Sequence, residues 1–339
     1  MDALRMAKGE KGEGAQRNSA LLPRLAQCVA LANRHKASIV LAEDEVNHFE
    51  AWLATDETLL LDGAMGTALL DAGLSAGEPL ALAVLDHPDL VRRIHRAHIA
   101  AGARLILSHS FAANPVQLGR FALADAVDAV NHAAVTLARG AAQGAARAKG
   151  TAVWVAGGLG PIVADAPIDP DDLCRAFAEQ AEALTAAGAD LLWIETLGSL
   201  AELRAAVAGV RQVSPLPLVA TFSFDHEGRT RNGLTPSAAM RGAVDCGVVA
   251  AGANCGHSLE MTEQALRQMQ RAAPQMPLVS KANAGLPQRC GERWHYPVSP
   301  DEFAAHGQRL RAMGVRLIGG CCGTTAAHLR ALHRESDPM

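Results

Sequence analysis

Aromatic residues are scarce: they make up 4% of the chain, and tyrosine occurs once, at Tyr296. Any pocket for a quaternary ammonium group therefore has few rings to draw on. Charge of one sign is also missing. The 31 basic and 35 acidic residues leave a formal net charge of −4, which offers no electrostatic footprint for nucleic acid. No apolar run reaches the ~20 residues that cross a bilayer, so the chain reads as soluble. The opening stretch, Met1 to Gly14, lacks the apolar segment of a secretory signal, and the expected location is cytoplasmic. Cysteine is sparse too. Seven in 339 residues is an odd number, ill-suited to a secreted disulfide framework. A reducing compartment is expected, with some thiols free for metal or catalysis.

What is present is a repeating alternation. From residue 58 onward, apolar runs of strand length are separated by amphipathic helical stretches. The runs are TLLLDG (58–63), ARLILSHSF (103–111), TAVWVAGG (151–158), ADLLWIET (189–196), LPLVATFSF (216–224), GVVAAGANC (247–255), MPLVSKAN (276–283) and GVRLIGGCC (314–322). They are apolar without strict alternation, as strands buried on both faces are. Several of the intervening helices end in glycine, a common helix terminator. Eight β-then-α units over this length predict a (β/α)8 TIM barrel spanning residues 58–339, with an open doubly wound sheet as the competitor. Residues 1–57 stand outside the pattern as an N-terminal extension. Its first part is polar and glycine-rich, hence expected to be disordered. Its remainder is helical, a candidate cap for one barrel end or a partner-binding appendage.

Catalytic groups in such barrels sit at the C-terminal ends of the strands. Those ends carry Asp62-Gly63, Ser108-His109-Ser110, Glu195-Thr196, Asn254-Cys255, Asn283 and Cys321-Cys322. Three cysteines thus fall on one face, on strands that are close neighbours in a closed ring. Cys255, Cys321 and Cys322 form a soft ligand set that favours Zn2+. Adjacent residues of a strand face opposite ways. The backbone must therefore leave the strand at Cys321, and Gly319, Gly320 and Gly323 supply the freedom to do so. Three protein ligands leave a fourth position open. A zinc ion with three thiolates is a poor activator of water, yet it can hold a substrate thiol as thiolate, which suits alkyl transfer to sulfur. Cys28, Cys174 and Cys246 read as packing residues. Cys290 sits in a loop and is either incidental or near the substrate mouth.

LLLDGAMGT, WIET, GANCG, NAGLP and IGGCCGTT occur in that order. Together they resemble the homocysteine S-methyltransferase family over about residues 58–335. That resemblance implies zinc ligation by Cys255, Cys321 and Cys322, which makes them the catalytic residues. It further implies that Asp62, with Gly63, and Glu195 hold the homocysteine ammonium, and that Ser110 and the backbone beside Phe111 lie near its carboxylate. Two carboxylates facing a metal suit an amino-acid substrate. His109, in SHSF, stands where relatives commonly have Asn. It is either a packed residue or one that touches substrate or donor. The animal betaine-using pattern of Tyr and Trp is replaced by Ala112 and Ala83, while Trp294 and Tyr296 offer a substitute cage.

The implied activity is zinc-dependent methyl transfer to homocysteine, giving methionine. Betaine or another onium compound, S-methylmethionine or S-adenosylmethionine, and a methyl-corrinoid stay open as donors. The sequence shows no cobalamin-binding module, so a corrinoid would have to arrive on a separate protein. Two rival readings remain. One is a subunit of a corrinoid-dependent methyltransferase or demethylase system acting on a different thiol or methylated substrate; the other is a non-catalytic zinc or thiol sensor. Homo-oligomerisation is open.

Overall fold

The computed structural model describes residues 48–150, 152–163, 168–290 and 293–334. Cys28 and the extension as far as residue 47 lie outside these. Eight parallel strands form one sheet: β1 (Leu59–Leu60), β2 (Leu105–Leu107), β3 (Trp154–Leu159), β4 (Leu191–Leu197), β5 (Leu218–Phe222), β6 (Ala250–Cys255), β7 (Leu278–Ala282) and β10 (Leu317–Gly320). Their order is β1-β10-β7-β6-β5-β4-β3-β2. A parallel bridge between Leu61 and Leu105 brings the two ends together. The result is a (β/α)8 barrel with helices around it, as the count of apolar runs predicts.

Both faces of the strands are covered, for different reasons. Alternate residues point inward, where Leu61, Leu107, Trp193, Val219 and Val279 share one cluster. The others point outward into a larger core with the helices, which includes Ile106, Phe177, Leu192, Phe222 and Leu266. Helix starts are capped by side chains at the barrel's C-terminal rim. Ser199 accepts from the Glu202 N–H, Ser258 from Met261 and Ser299 from Glu302. At Ser199 and Ser258 the cap lets a short loop turn directly from strand into helix. Among the described residues, no helix is long and apolar enough to cross a membrane.

The opposite rim is closed by the helix His48–Leu53. Phe49 is fully buried and joins the inward-facing cluster. It stacks on Trp52 at 6.1 Å and meets Trp154 edge-on at 6.0 Å. Arg316 lies over the Trp52 ring at 5.2 Å. Phe49→Ala should therefore cost about 3–5 kcal/mol of unfolding free energy. A lowered denaturation midpoint with unchanged metal content is the expected result.

One element was not legible as such. The stretch read as a plain loop contains a hairpin, β8 (Gln288–Cys290) with antiparallel β9 (Arg293–His295). Its strands are three residues long and β8 is exposed on every residue. Neither carries the apolar alternation that marks a half-buried strand.

Candidate metal and substrate site

Cys255 ends β6, and Cys321 and Cys322 follow β10 directly. Their sulfur atoms all lie within 4.8 Å of one another. Cys321 and Cys322 are 4.0 Å apart. That is far beyond the ~2.05 Å of a disulfide. It is close to the roughly 3.8 Å edge of a tetrahedron with zinc–sulfur bonds of ~2.3 Å.

The backbone makes this possible by leaving the strand, as expected. The Cys321 N–H still donates to the Ala282 carbonyl at 2.8 Å, and the Ala284 N–H to the Cys322 carbonyl at 2.9 Å. The chain then turns, with the Thr324 N–H and hydroxyl both closing on the Cys321 carbonyl. Only one of the three flanking glycines supplies conformational freedom. Gly323 has φ +79°, while Gly319 and Gly320 are not left-handed. Those two are needed for space. A Cβ at Gly319 would meet Leu61 at 2.5 Å, and one at Gly320 would meet the Thr324 side chain at 2.2 Å. Cys255 is itself left-handed at φ +59°, a cost that the surrounding structure must bear.

Tyr296 packs its ring over Gly323, where a Cβ would come within 2.1 Å of it. Gly323→Ala combines that clash with a disfavoured φ. It should weaken zinc retention on the order of tenfold, measured by competition with a chelator. Unchanged retention would show that the turn is dispensable.

Without metal, the thiols share protons. Cys321 and Cys322 both hydrogen-bond to the Cys255 sulfur, which holds Cys255 well below the usual thiol range. Serving as donors to it pushes Cys321 up to about 12 and Cys322 upward as well. The Asn283 side chain also bonds to Cys255 and donates to the Gly256 carbonyl at 3.1 Å. Its Oδ1 is buried with no partner. Three soft sulfurs at this spacing, with an orphaned amide oxygen beside them, fit a zinc ion.

Below the thiols, the barrel interior turns polar. Glu195 on β4 has no hydrogen-bond partner among the described residues. Burial pushes its carboxyl up to about 8, against the pull of the Lys281 ammonium; Cys321 and Asp62 add to the rise. Asp62 is differently placed: its Oδ1 pairs with Lys281 Nζ at 2.5 Å and its Oδ2 accepts the Leu107 N–H at 2.8 Å. The residue after Glu195, Thr196, is left-handed at φ +65°. Its N–H donates to Asn254 Oδ1 at 2.8 Å, and Asn254 Nδ2 returns a bond to the Thr196 hydroxyl at 2.7 Å. This reciprocal clamp joins the residue beside Glu195 to the residue beside Cys255.

The remaining sequence-derived candidates surround this centre. Ser110 is fully buried and donates to the Gly158 carbonyl at 2.7 Å. The Gly63 and Phe111 N–H groups carry no hydrogen bond among the described residues. The Phe111 ring is 36% exposed, enough to face a ligand. His109 Nε2 bonds to the Leu80 carbonyl at 2.7 Å, tying down the loop after β1. Burial lowers its pKa. Tyr296 and Trp294 are half-buried on the hairpin side. Burial, followed by the nearby thiols, pushes the Tyr296 hydroxyl upward. Cys290 is exposed, and Cys174 and Cys246 are half-buried away from the thiol cluster.

The sequence reading placed Thr196, Asn254 and Asn283 at strand ends without giving them a role, and it did not single out Lys281. A signal did exist for Lys281: a lysine inside a strand that must be buried on both faces is out of place unless paired.

The family model for homocysteine S-methyltransferase matches residues 59–336. Methionine synthase of Mycobacterium tuberculosis is 31% identical over 286 residues, covering 79% of this chain and 24% of that protein. The Mycobacterium leprae methionine synthase is 29% identical over 317 residues, covering 89% and 25% respectively. The chain thus spans about a quarter of the length of these relatives. The metallated form of the Escherichia coli homocysteine methyltransferase MmuM superposes with a TM-score of 0.73 at 28% identity, covering 85% of this chain and 99% of that one. Its oxidized form gives 0.71 at the same identity, covering 86% and 99%. Sequence, fold and matched relatives agree: the chain belongs to the homocysteine S-methyltransferase family.

Proposed function

We propose that the protein transfers a methyl group to the thiol of homocysteine, giving methionine, with zinc held by Cys255, Cys321 and Cys322. The observation that carries this reading is the trio of sulfurs within 4.8 Å at the barrel mouth, beside the unpartnered Glu195. When bound there, zinc supplies the acidity that converts an acceptor thiol into a nucleophilic thiolate. The chain's own residues do the rest. Glu195 takes the acceptor ammonium. The free N–H groups of Gly63 and Phe111 receive the acceptor carboxylate, with Ser110 holding that loop to β3 through Gly158. Fixing both ends of the amino acid orients the sulfur for in-line attack on a methyl carbon, and orientation supplies much of the acceleration.

On the donor side, Trp294 and Tyr296 offer aromatic faces suited to an onium compound. His109 holds the segment at Leu80 through its carbonyl. A methyl-corrinoid on a separate protein is the alternative donor. The test is a donor screen with zinc-loaded protein and homocysteine, using betaine, S-methylmethionine, S-adenosylmethionine and methylcobalamin. Methionine formed from at least one onium donor is the expected result. No methionine from any of them, with homocysteine causing no change at the metal, would favour the sensor reading instead.

A further inference from the structure

Two carboxylates near the thiols suggest a two-pronged grip on an acceptor ammonium, but a lysine of the chain has taken one prong. Lys281 lies on β7, two residues beyond Val279, and so projects into the barrel on the same face. Its ladder neighbour on β10 is Gly319. From that position the lysine Nζ reaches Asp62, just past the end of β1. The stem rests above Trp193, with Nζ 5.9 Å from the ring centroid. The two paired side chains are 4% and 5% exposed. Asp62 has both oxygens engaged, one by Lys281 and one by the Leu107 N–H. An incoming ammonium that sought Asp62 would have to lie beside the Lys281 ammonium, and like charges at that separation repel. Glu195 also feels the Lys281 ammonium, but no hydrogen bond or salt bridge joins the two among the described residues, so its oxygens stay open to an incoming ammonium.

We propose that Lys281 sets acceptor specificity: by sequestering Asp62 in a buried ion pair, it leaves Glu195 as the sole anchor for the acceptor ammonium. This rests on the thiol-acceptor reading above. The site should therefore discriminate only modestly against a thiol acid that lacks the amino group. Lys281 is a positioning residue here, since it acts through Asp62 and does not touch the reacting sulfur.

The test compares homocysteine with its deamino analogue, 4-sulfanylbutanoate, by calorimetric titration of zinc-loaded protein at one fixed pH. The readout is the ratio of the two dissociation constants. In the unaltered protein, homocysteine should bind about tenfold tighter, the worth of one charge-assisted contact. Glu195→Gln should bring the ratio close to one. Lys281→Met frees Asp62 and should raise the ratio a further tenfold or so. Asp62→Asn/Lys281→Met removes both buried charges together and guards against misfolding of the single variant; its ratio should stay within about threefold of the starting value. A ratio unchanged in Lys281→Met, or abolished in the double variant, overturns the proposal. Failure of homocysteine to bind the zinc-loaded protein at all would instead sink the acceptor reading.

Discussion

Cys321→Ala should reduce bound zinc from about one per chain to about a tenth or less after dialysis against a weak chelator. Structural zinc sites bind with about 10–16 kcal/mol, which shared over four ligands is roughly 3 kcal/mol for each. Losing one thiolate then weakens binding on the order of a hundredfold. Methyl transfer should fall by about a thousandfold or more, since both the metal and the acceptor's position go with it. The barrel should survive. Cys321 is half-buried in a turn after β10 and belongs to none of the hydrophobic clusters. Stoichiometric zinc in the purified variant would count decisively against the site.

The same variant has a metal-free signature. With all three thiols present, Cys255 is the one held well below the usual range, because its two neighbours donate to it. Alkylation of the metal-free protein near neutral pH should therefore mark Cys255 before Cys321 or Cys322. Removing Cys321 takes away the first of those donors and should slow labelling of Cys255. Peptide mass mapping distinguishes this from a general loss of access, which would slow Cys322 as well.

The barrel was legible because its signal is redundant. Eight apolar runs with helices between them survive errors of several residues at each strand end. Thus β1 covers Leu59–Leu60 where 58–63 was expected, and the ring is unaffected. The thiol cluster was legible because adjacent cysteines among glycines are unusual. What stayed hidden depends on contacts between distant positions. Nothing local to Lys281 says that its partner is Asp62, 219 positions away. Thr196 and Asn254 look like ordinary strand-end polar residues until β4 and β6 are brought together. Gly319 and Gly320 show a different limit. A glycine needed for flexibility and one needed for space are the same letter, and only the neighbours Leu61 and Thr324 tell them apart.

Glu195 makes the other large prediction. Its carboxyl titrates at about 8 in the free protein, chiefly through burial, so at neutral pH it is mostly protonated. An acceptor ammonium beside it favours the carboxylate and lowers its pKa in the complex. The complex then holds fewer protons than the free protein, and affinity rises with pH until the free carboxyl has ionised. For a group at about 8, this amounts to about a fivefold gain from pH 7 to 8 and about fiftyfold from pH 6 to 8. Ionisation of the acceptor thiol adds its own slope, which the deamino analogue reports alone. The gain should therefore be visible in the ratio of the two affinities, measured across that range. Glu195→Gln should flatten the ratio and weaken homocysteine binding by about tenfold, the low end expected for a lost charge-assisted bond of about 1.5–3 kcal/mol. A ratio that climbs equally in the variant would assign the titration to another group. Asp62 is engaged by Lys281 at 2.5 Å, so a flat ratio in Glu195→Gln also upholds the division of labour between the two carboxylates.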